Sequence, residues 1–296
     1  MARPGVGERT AWLFMAPFLL LFAVFTLWPL LFNGWLAFHD YFIRSGNMAW
    51  NGFAHFVALA EDEQYFHPAL RHTLIFLLVV PVLQLTALGL AILLSPARAG
   101  FGFFRALCYS PVILSVTIGA VVWQQLLQQD GLVNWLLGLI SGVPRQSLPD
   151  WLNSTDWALP ATMAFFCWKY AGYYMVLYLA GLQGVPKTLQ EAAMLDGAGP
   201  WARFRHVTLP ALQPVILLAT LLSTIAALKA FQEVIVLTGG GNGTITLLVY
   251  AYYSAFYAQN FGIAGAVALL MTLLCLLLAT LQLRWFGEHG RLRHGG

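Results

Sequence analysis

Six apolar runs of roughly 20 or more residues decide where this chain can fold. They cover about 11–36, 70–95, 105–128, 157–181, 212–236 and 262–285. Each is long enough to cross ~30 Å of hydrocarbon as a tilted helix. Their apolarity is continuous rather than alternating, which predicts helices and argues against a barrel of strands. Charged residues make up only 9% of the chain and mean hydropathy is +0.72. A soluble domain carries about 25% charge and needs it to solvate its surface. The expected fold is an all-α membrane protein with six transmembrane helices, forming a single domain over residues 1–296.

The first run follows Arg3 and Arg9, as the core of a secretory signal would. It continues to Leu36, too far for a signal core, and no small-residue cleavage site follows, so it reads as an uncleaved span. Cys108, Cys167 and Cys275 all sit in apolar runs and read as small buried hydrophobes, with neither a disulfide nor a metal site. The net charge of +3 is spread across loops and points to no nucleic-acid partner.

Lysine and arginine in the loops set the orientation. With both termini in the cytoplasm, the inner side holds Arg3, Arg9, Arg98, Arg105, Lys187, Arg203, Arg205, Arg284, Arg291 and Arg293, against Arg44, Arg71 and Arg145 outside. The outer loops are acidic and aromatic instead, with Trp50, Trp151 and Trp157 expected as interfacial anchors.

No G-x-x-x-x-G-K-[ST] occurs, so no Walker A loop binds ATP here, and there is no H-E-x-x-H or G-x-S-x-G. His39, His55, His67 and His72 read as solvated loop residues. Charge inside a span is expensive, about 2.5–3.5 kcal/mol for a central lysine on insertion scales. Lys169, Lys229 and Glu233 are therefore site candidates. Lys229 and Glu233 stand one helical turn apart and can pair. Tyr170 and Tyr173 share a helix face with Lys169, where aromatic rings could stack on a sugar and hydroxyl or ammonium groups bond its edge.

One stretch breaks the apolar pattern. Residues 191–210 read EAAMLDGAGPWARFRHVTLP, a polar segment between two apolar runs, on the cytoplasmic side in the orientation above. Thr188 and Glu191 have capping-box spacing. A short helix is expected through Ala192, Ala193, Met194 and Leu195, stopped at Asp196-Gly197. Gly199-Pro200 opens a second, with Trp201, Phe204 and Val207 near one face, and Leu209-Pro210 is expected to break the chain before the next span. The product is a cytoplasmic helix–turn–helix.

The spacing E-A-A, then D-G-A, then L-P resembles the coupling loop of permease subunits in bacterial ATP-binding-cassette importers, matching at Glu191, Ala192, Ala193, Asp196, Gly197, Ala198, Phe204, Leu209 and Pro210. Further segments are similar to the carbohydrate-uptake type, related to the larger maltose-transporter membrane subunit and to glycerol-3-phosphate permease subunits. These are 11–30, 50–74, 104–115, 131–137, 178–190 and 237–241, so the likeness covers essentially the whole chain. The family's glycine turn usually continues Gly-Pro, whereas Gly241 is followed by Asn242-Gly243. Gln232 stands where an acid is usual, with Glu233 next, and the large periplasmic insert of the maltose subunit has no room here.

The resemblance implies a permease in the bacterial cytoplasmic membrane, with a coupling loop at 186–210, that moves a sugar or oligosaccharide inward by alternating access. It implies a second related permease, two ATPase subunits carrying ATP and Mg, and an external solute-binding protein, with no cofactor or catalysis on this chain. It places Phe166, Lys169, Tyr170, Tyr173 and Ser223 on a mid-membrane cavity. The alternatives are a permease for glycerol-3-phosphate or another polar solute, or a self-sufficient secondary transporter using Lys229/Glu233 for ion coupling. An intramembrane enzyme has no recognisable constellation to support it.

Overall fold

All six apolar runs are helical, but two are not single rods. The computed structural model describes residues 4–41, 48–96 and 100–291, with side chains over 10–41, 48–96 and 100–286. Of the charges used for orientation, Arg3, Arg44, Arg98 and Arg293 lie outside the described residues, as do the side chains of Arg9 and Arg291.

The chain forms two compact units, one of residues 1–63 with 250–272, the other of 64–249 with 273–296. In the first, α1 (Pro4–Phe22) and α2 (Trp28–Leu36) are joined by a π-helical turn at Ala23–Leu27. An antiparallel pair follows, β1 (His39–Tyr41) with β2 (Met48–Trp50), and then α3 (Ala54–Glu61). The hairpin is pinned by polar bonds. Asp40 accepts from Asn51 at 2.6 Å and lies 3.3 Å from His55 Nε2, which also reaches the His39 carbonyl at 3.1 Å. His39 and His55 are buried, which corrects the reading of both as solvated loop residues. Gly262 packs so closely here that a Cβ on it would strike the His55 ring.

The second unit begins with α4 (Phe66–Phe76) and α5 (Val79–Leu94), which together make a span of 29 residues. His67 and His72 lie on this span rather than in a loop. Next come α6 (Phe101–Ile113), α7 (Val116–Leu127) and α8 (Leu132–Ser141), then the 26-residue α9 (Ala158–Gln183). After α10 (Lys187–Leu195), α11 (Pro200–Arg203), a π-turn at Phe204–Thr208 and α12 (Leu209–Ala211), the fifth run is divided into α13 (Gln213–Leu228) and α14 (Gln232–Thr238). Finally α15 (Leu247–Phe256) and α16 (Phe261–Arg291) cross between the two units.

Among the described residues, three helices are individually long and apolar enough to cross a bilayer, or up to five if each strongly bent pair counts as one span. At ~1.5 Å per residue α9 is also long enough, but Lys169 and its tyrosines dilute its apolarity. The third run bends by 99° between Phe101–Ile113 and Val116–Ser141. Leu114 and Ser115 are extended at that break, with ψ of 145° and 139°. Arg105 answers the preceding helix end, its guanidinium donating to the Leu94 carbonyl at the end of α5.

The core of this unit sits where α5 and α13 pack on α9. Leu83 and Phe76 meet Phe166, Met175 and Tyr178, and Ala219 and Ala227 complete the cluster. Small residues on α9 permit close approach, as is common between membrane helices. A Cβ at Gly172 would stand 2.2 Å from the Cys108 carbonyl oxygen and 2.8 Å from Tyr109 Cα, both backbone atoms of α6. Gly172→Ala is therefore expected to destabilise the protein by about 1–3 kcal/mol through overpacking. Thermal melting of the purified protein in detergent measures this, and an unchanged midpoint would mean that the two helices are not in backbone contact.

The glycine turn after α14 explains a sequence departure. Asn242 holds φ at +52° and its side chain donates to the Leu152 carbonyl at 3.0 Å. Asparagine tolerates the left-handed region, whereas proline is fixed near −65° and cannot enter it.

Candidate coupling loop and intramembrane polar cluster

The segment 186–210 folds as two short helices joined by a tight turn. The expected capping box does not form. Pro186, not Thr188, occupies the N-cap of α10, no side chain caps the helix, and Thr188 lies inside its first turn. Starting the helix two residues earlier removes the free N–H geometry that the box needs. The stop at Gly197 is built as expected. Gly197 has φ +78°, its N–H bonds the Met194 carbonyl at 3.1 Å, and the Ala198 N–H bonds the Ala193 carbonyl at 2.9 Å. These are the two bonds of a Schellman motif. Pro200 opens α11 at its first turn, with Gly199 as N-cap.

Leu209-Pro210 does not break the chain, contrary to expectation. The π-turn ends with the Leu209 N–H bonded to the Phe204 carbonyl, one residue wider than an α-turn, and Pro210 then continues the helix. The wider turn makes room for a ring that would otherwise press on the preceding carbonyls. The same device precedes Pro29, where the Trp28 N–H bonds the Ala23 carbonyl. The true break comes at Leu212, where the path bends by 67° into α13.

The two arms are tied by Gln190 Nε2 donating to Thr208 Oγ1 at 2.9 Å, and Trp201 packs on Phe204 at 5.6 Å. Glu191, Ala192, Asp196 and Gly197 are exposed, while Ala193, Ala198, Phe204, Leu209 and Pro210 are half-buried. Large apolar side chains also point outward, with Leu195 at 90% and Trp201 at 70% exposure, joined by Leu189 and Met194. Arg203 is half-buried, and its Nε has no hydrogen-bond partner.

Inside the runs, the polar side chains do not all behave as expected. Lys169 is 2% exposed. Its Nζ donates to the carbonyls of Pro111 at 2.6 Å, Val112 at 3.1 Å and Leu114 at 2.5 Å. An ammonium has three donors, and all three are taken by the end of α6. This corrects the expectation that Lys169 faces a solute. Phe166 is buried between Phe76 and Tyr170, and Ser223 is 0% exposed, accepting from Gln84 Nε2 at 2.8 Å, so neither lines an open cavity.

Lys229 and Glu233 form no ion pair. The helix is interrupted at Lys229–Phe231, so the one-turn spacing no longer brings them together. Lys229 is exposed, while Glu233 is buried and accepts from the Tyr170 hydroxyl at 2.9 Å. Tyr173, at 38% exposure, and half-buried Tyr170 remain accessible on α9. Among the described residues no group of three or more His, Cys, Asp or Glu is placed to hold a metal ion.

Sequence reasoning missed the glutamines. Gln84 donates to the Ala219 carbonyl and Ser223, and accepts from Tyr178 at 2.6 Å. Gln124 Nε2 donates to the carbonyls of Val236 at 2.7 Å and Leu237 at 3.1 Å. Gln282 donates to Thr224 at 2.7 Å. A neutral amide in an apolar run follows the same logic as a lysine there and would have pointed to all three.

Residues 6–288 match the model of the binding-protein-dependent transport system inner membrane components. The chain belongs to that family. Its relatives include the lactose transport system permease LacF of Rhizobium radiobacter, 34% identical over 282 residues and 93% of each chain. The trehalose/maltose permease MalF of Thermococcus litoralis is 29% identical over 273 residues, covering 90% of each. The sulfoquinovosyl glycerol permease SmoG of Agrobacterium fabrum is 30% identical over 286 residues, covering 94% of this chain and 91% of its own. A crystal structure of a bacterial ABC transporter involved in alginate import has the same fold, with a TM-score of 0.81 at 23% identity over 95% of this chain and 96% of its own. This inner membrane component is thus a transport subunit with several membrane-spanning helices, and its fold class is as expected.

Proposed function

We propose that this chain is one of two related permease subunits of an importer that carries a sugar or oligosaccharide into the cytoplasm by alternating access. Both termini and the 186–210 loop face the cytoplasm, where two partner ATPases hold ATP and Mg. An external binding protein delivers the solute on the other side. The observation that carries this reading is the 186–210 hairpin, whose Leu189, Met194, Leu195 and Trp201 stay exposed on the two short helices either side of the Gly197 turn. Exposed apolar side chains clustered on short helices suit docking to a protein partner better than contact with water. The named solutes of the relatives support a saccharide. The Lys169 ammonium, the cation nearest the middle of the fourth run, donates to three backbone carbonyls and so gives no support to binding of a phosphate. Ion coupling at Lys229/Glu233 has no ion pair to support it.

Uptake of a labelled disaccharide tests the function, using proteoliposomes that hold the assembled transporter, its binding protein and internal ATP. ATP-dependent accumulation is expected, and uptake that persists without the ATPases would favour a secondary transporter. Orientation is tested separately with single cysteines replacing Glu63, Asp150 or Arg203, in a background lacking Cys108, Cys167 and Cys275. Positions 63 and 150 should react with an impermeant thiol reagent in intact cells, and position 203 only after the membrane is opened. Labelling of position 203 from outside would overturn both the orientation and the docking role of the loop.

A further inference from the structure

Two neighbouring side chains on α9 each hold the end of a different broken helix. Lys169 donates to the last carbonyls of α6, at Pro111, Val112 and Leu114. Tyr170 donates to Glu233, in the first turn of α14. The signs of charge are the favourable ones, with a cation at a helix C-terminus and an acid at an N-terminus. Irregular backbone at membrane depth is tolerated only where protein satisfies it. Lys169 does so at the first break, and at the second Thr246 Oγ1 donates to the Ala230 carbonyl while Tyr170 holds the Glu233 side chain just beyond it.

Beyond the breaks, α7 and α14 are fastened to each other through Gln124 and the Val236 and Leu237 carbonyls. They share a second apolar cluster, in which Ala120 and Leu127 of α7 join Leu237 of α14 and Phe165 of α9. The main cluster instead joins α5, α9 and α13. Between α6 and α7 the chain is extended at Leu114 and Ser115, and between α13 and α14 the helical ladder is interrupted. Neither link carries continuous helical hydrogen bonds that would resist rotation.

We propose that Lys169 and Tyr170 form a pivot, about which α7 and α14 turn as one body while α6 and α13 stay with the α5–α9 core. Two separate hinges become one axis because adjacent residues of an unbroken helix hold both. Lys169, Tyr170 and Glu233 are positioning residues in this scheme and do not touch solute. The inference rests on the importer reading, since it needs a cycle between two states.

The test uses the assembled transporter in proteoliposomes. Tyr170→Phe keeps the ring, which packs 4.6 Å from Phe166, and removes only the donor. Loss of a hydrogen bond to a charged group is expected to lower kcat for ATP-driven disaccharide uptake roughly tenfold, with KM unchanged. Glu233→Ala should do the same, and Glu233→Gln, which still accepts, should recover most of the rate. Spin labels at Leu107 on α6 and Val122 on α7, both exposed, report across the break. Their separation should change between the nucleotide-free and ATP-trapped states, while labels at Val122 and Gln232 keep theirs.

An unchanged 107–122 separation, or one that changes equally between 122 and 232, would overturn the pivot. So would a wild-type kcat in Tyr170→Phe. A raised KM with kcat intact would make Tyr170 a solute contact instead. If the wild-type assembly moves no disaccharide, the importer reading for saccharides fails, and the label distances still decide the pivot.

Discussion

Lys169→Met is expected to destabilise the purified transporter by about 3–5 kcal/mol, the usual cost of removing one partner from a buried charged network. Insertion scales alone point the other way, because methionine in a span removes an expensive charge. The difference lies in what the ammonium touches. It satisfies carbonyls of Pro111, Val112 and Leu114 that have no helical partner, because the third run bends by 99° just beyond them. Methionine fills a similar volume but leaves those groups unbonded in a site that is 2% exposed in wild type. Thermal melting in detergent, together with the amount of subunit recovered from membranes, measures the effect. A wild-type midpoint would mean that these carbonyls find other partners, and the lysine would lose its structural role. Lys169→Arg keeps the charge and the donors in a larger head group, so an intermediate loss is expected.

Gly197→Pro should abolish ATP-driven uptake while leaving the subunit in the membrane. Gly197 holds φ at +78° and donates to the Met194 carbonyl, whereas proline is fixed near −65° and has no N–H to give. Both bonds of the turn between α10 and α11 are then at risk, and the hairpin loses its angle. The fold should survive because the turn is exposed and makes no part of the apolar clusters. Uptake, ATPase activity stimulated by the binding protein and membrane levels are measured together. Normal uptake at normal ATPase activity would remove the loop from the coupling role. Glu191→Lys is a gentler companion. Glu191 is exposed and α10 has no side-chain cap, so this charge reversal leaves the helix intact and tests only the docking surface.

Element type and rough position were legible wherever the physics is local. Continuous apolarity over lengths that match a bilayer defined the helical runs, because water-free surroundings admit few other backbone solutions. The second run begins at Phe66 rather than near 70, since His67 and Arg71 at its start mask a helix that has already begun. The stop at Gly197 and the start at Pro200 were legible for the same reason. A positive φ and a first-turn proline are properties of single residues. The capping box at Thr188 failed because it depends on where the helix starts, and a proline one residue upstream of Lys187 moved that start.

What the sequence by itself determined is therefore the membrane class, the helical runs and the polar hairpin between the fourth and fifth of them. Only the tertiary structure decided which polar side chains are free. The family resemblance implied a cavity-facing place for Lys169, Phe166 and Ser223 alike, yet one bonds a helix end, one fills an aromatic cluster and one joins Gln84. Lys229 and Glu233 have the spacing of a pair and are separated by a break that no local rule required. The physical reason is that a buried polar group must be satisfied by whatever polar group lies opposite, in the backbone or in another side chain. That partner comes from elements 55–58 residues away for Lys169 and 63 for Tyr170, at distances along the chain that periodicity does not encode.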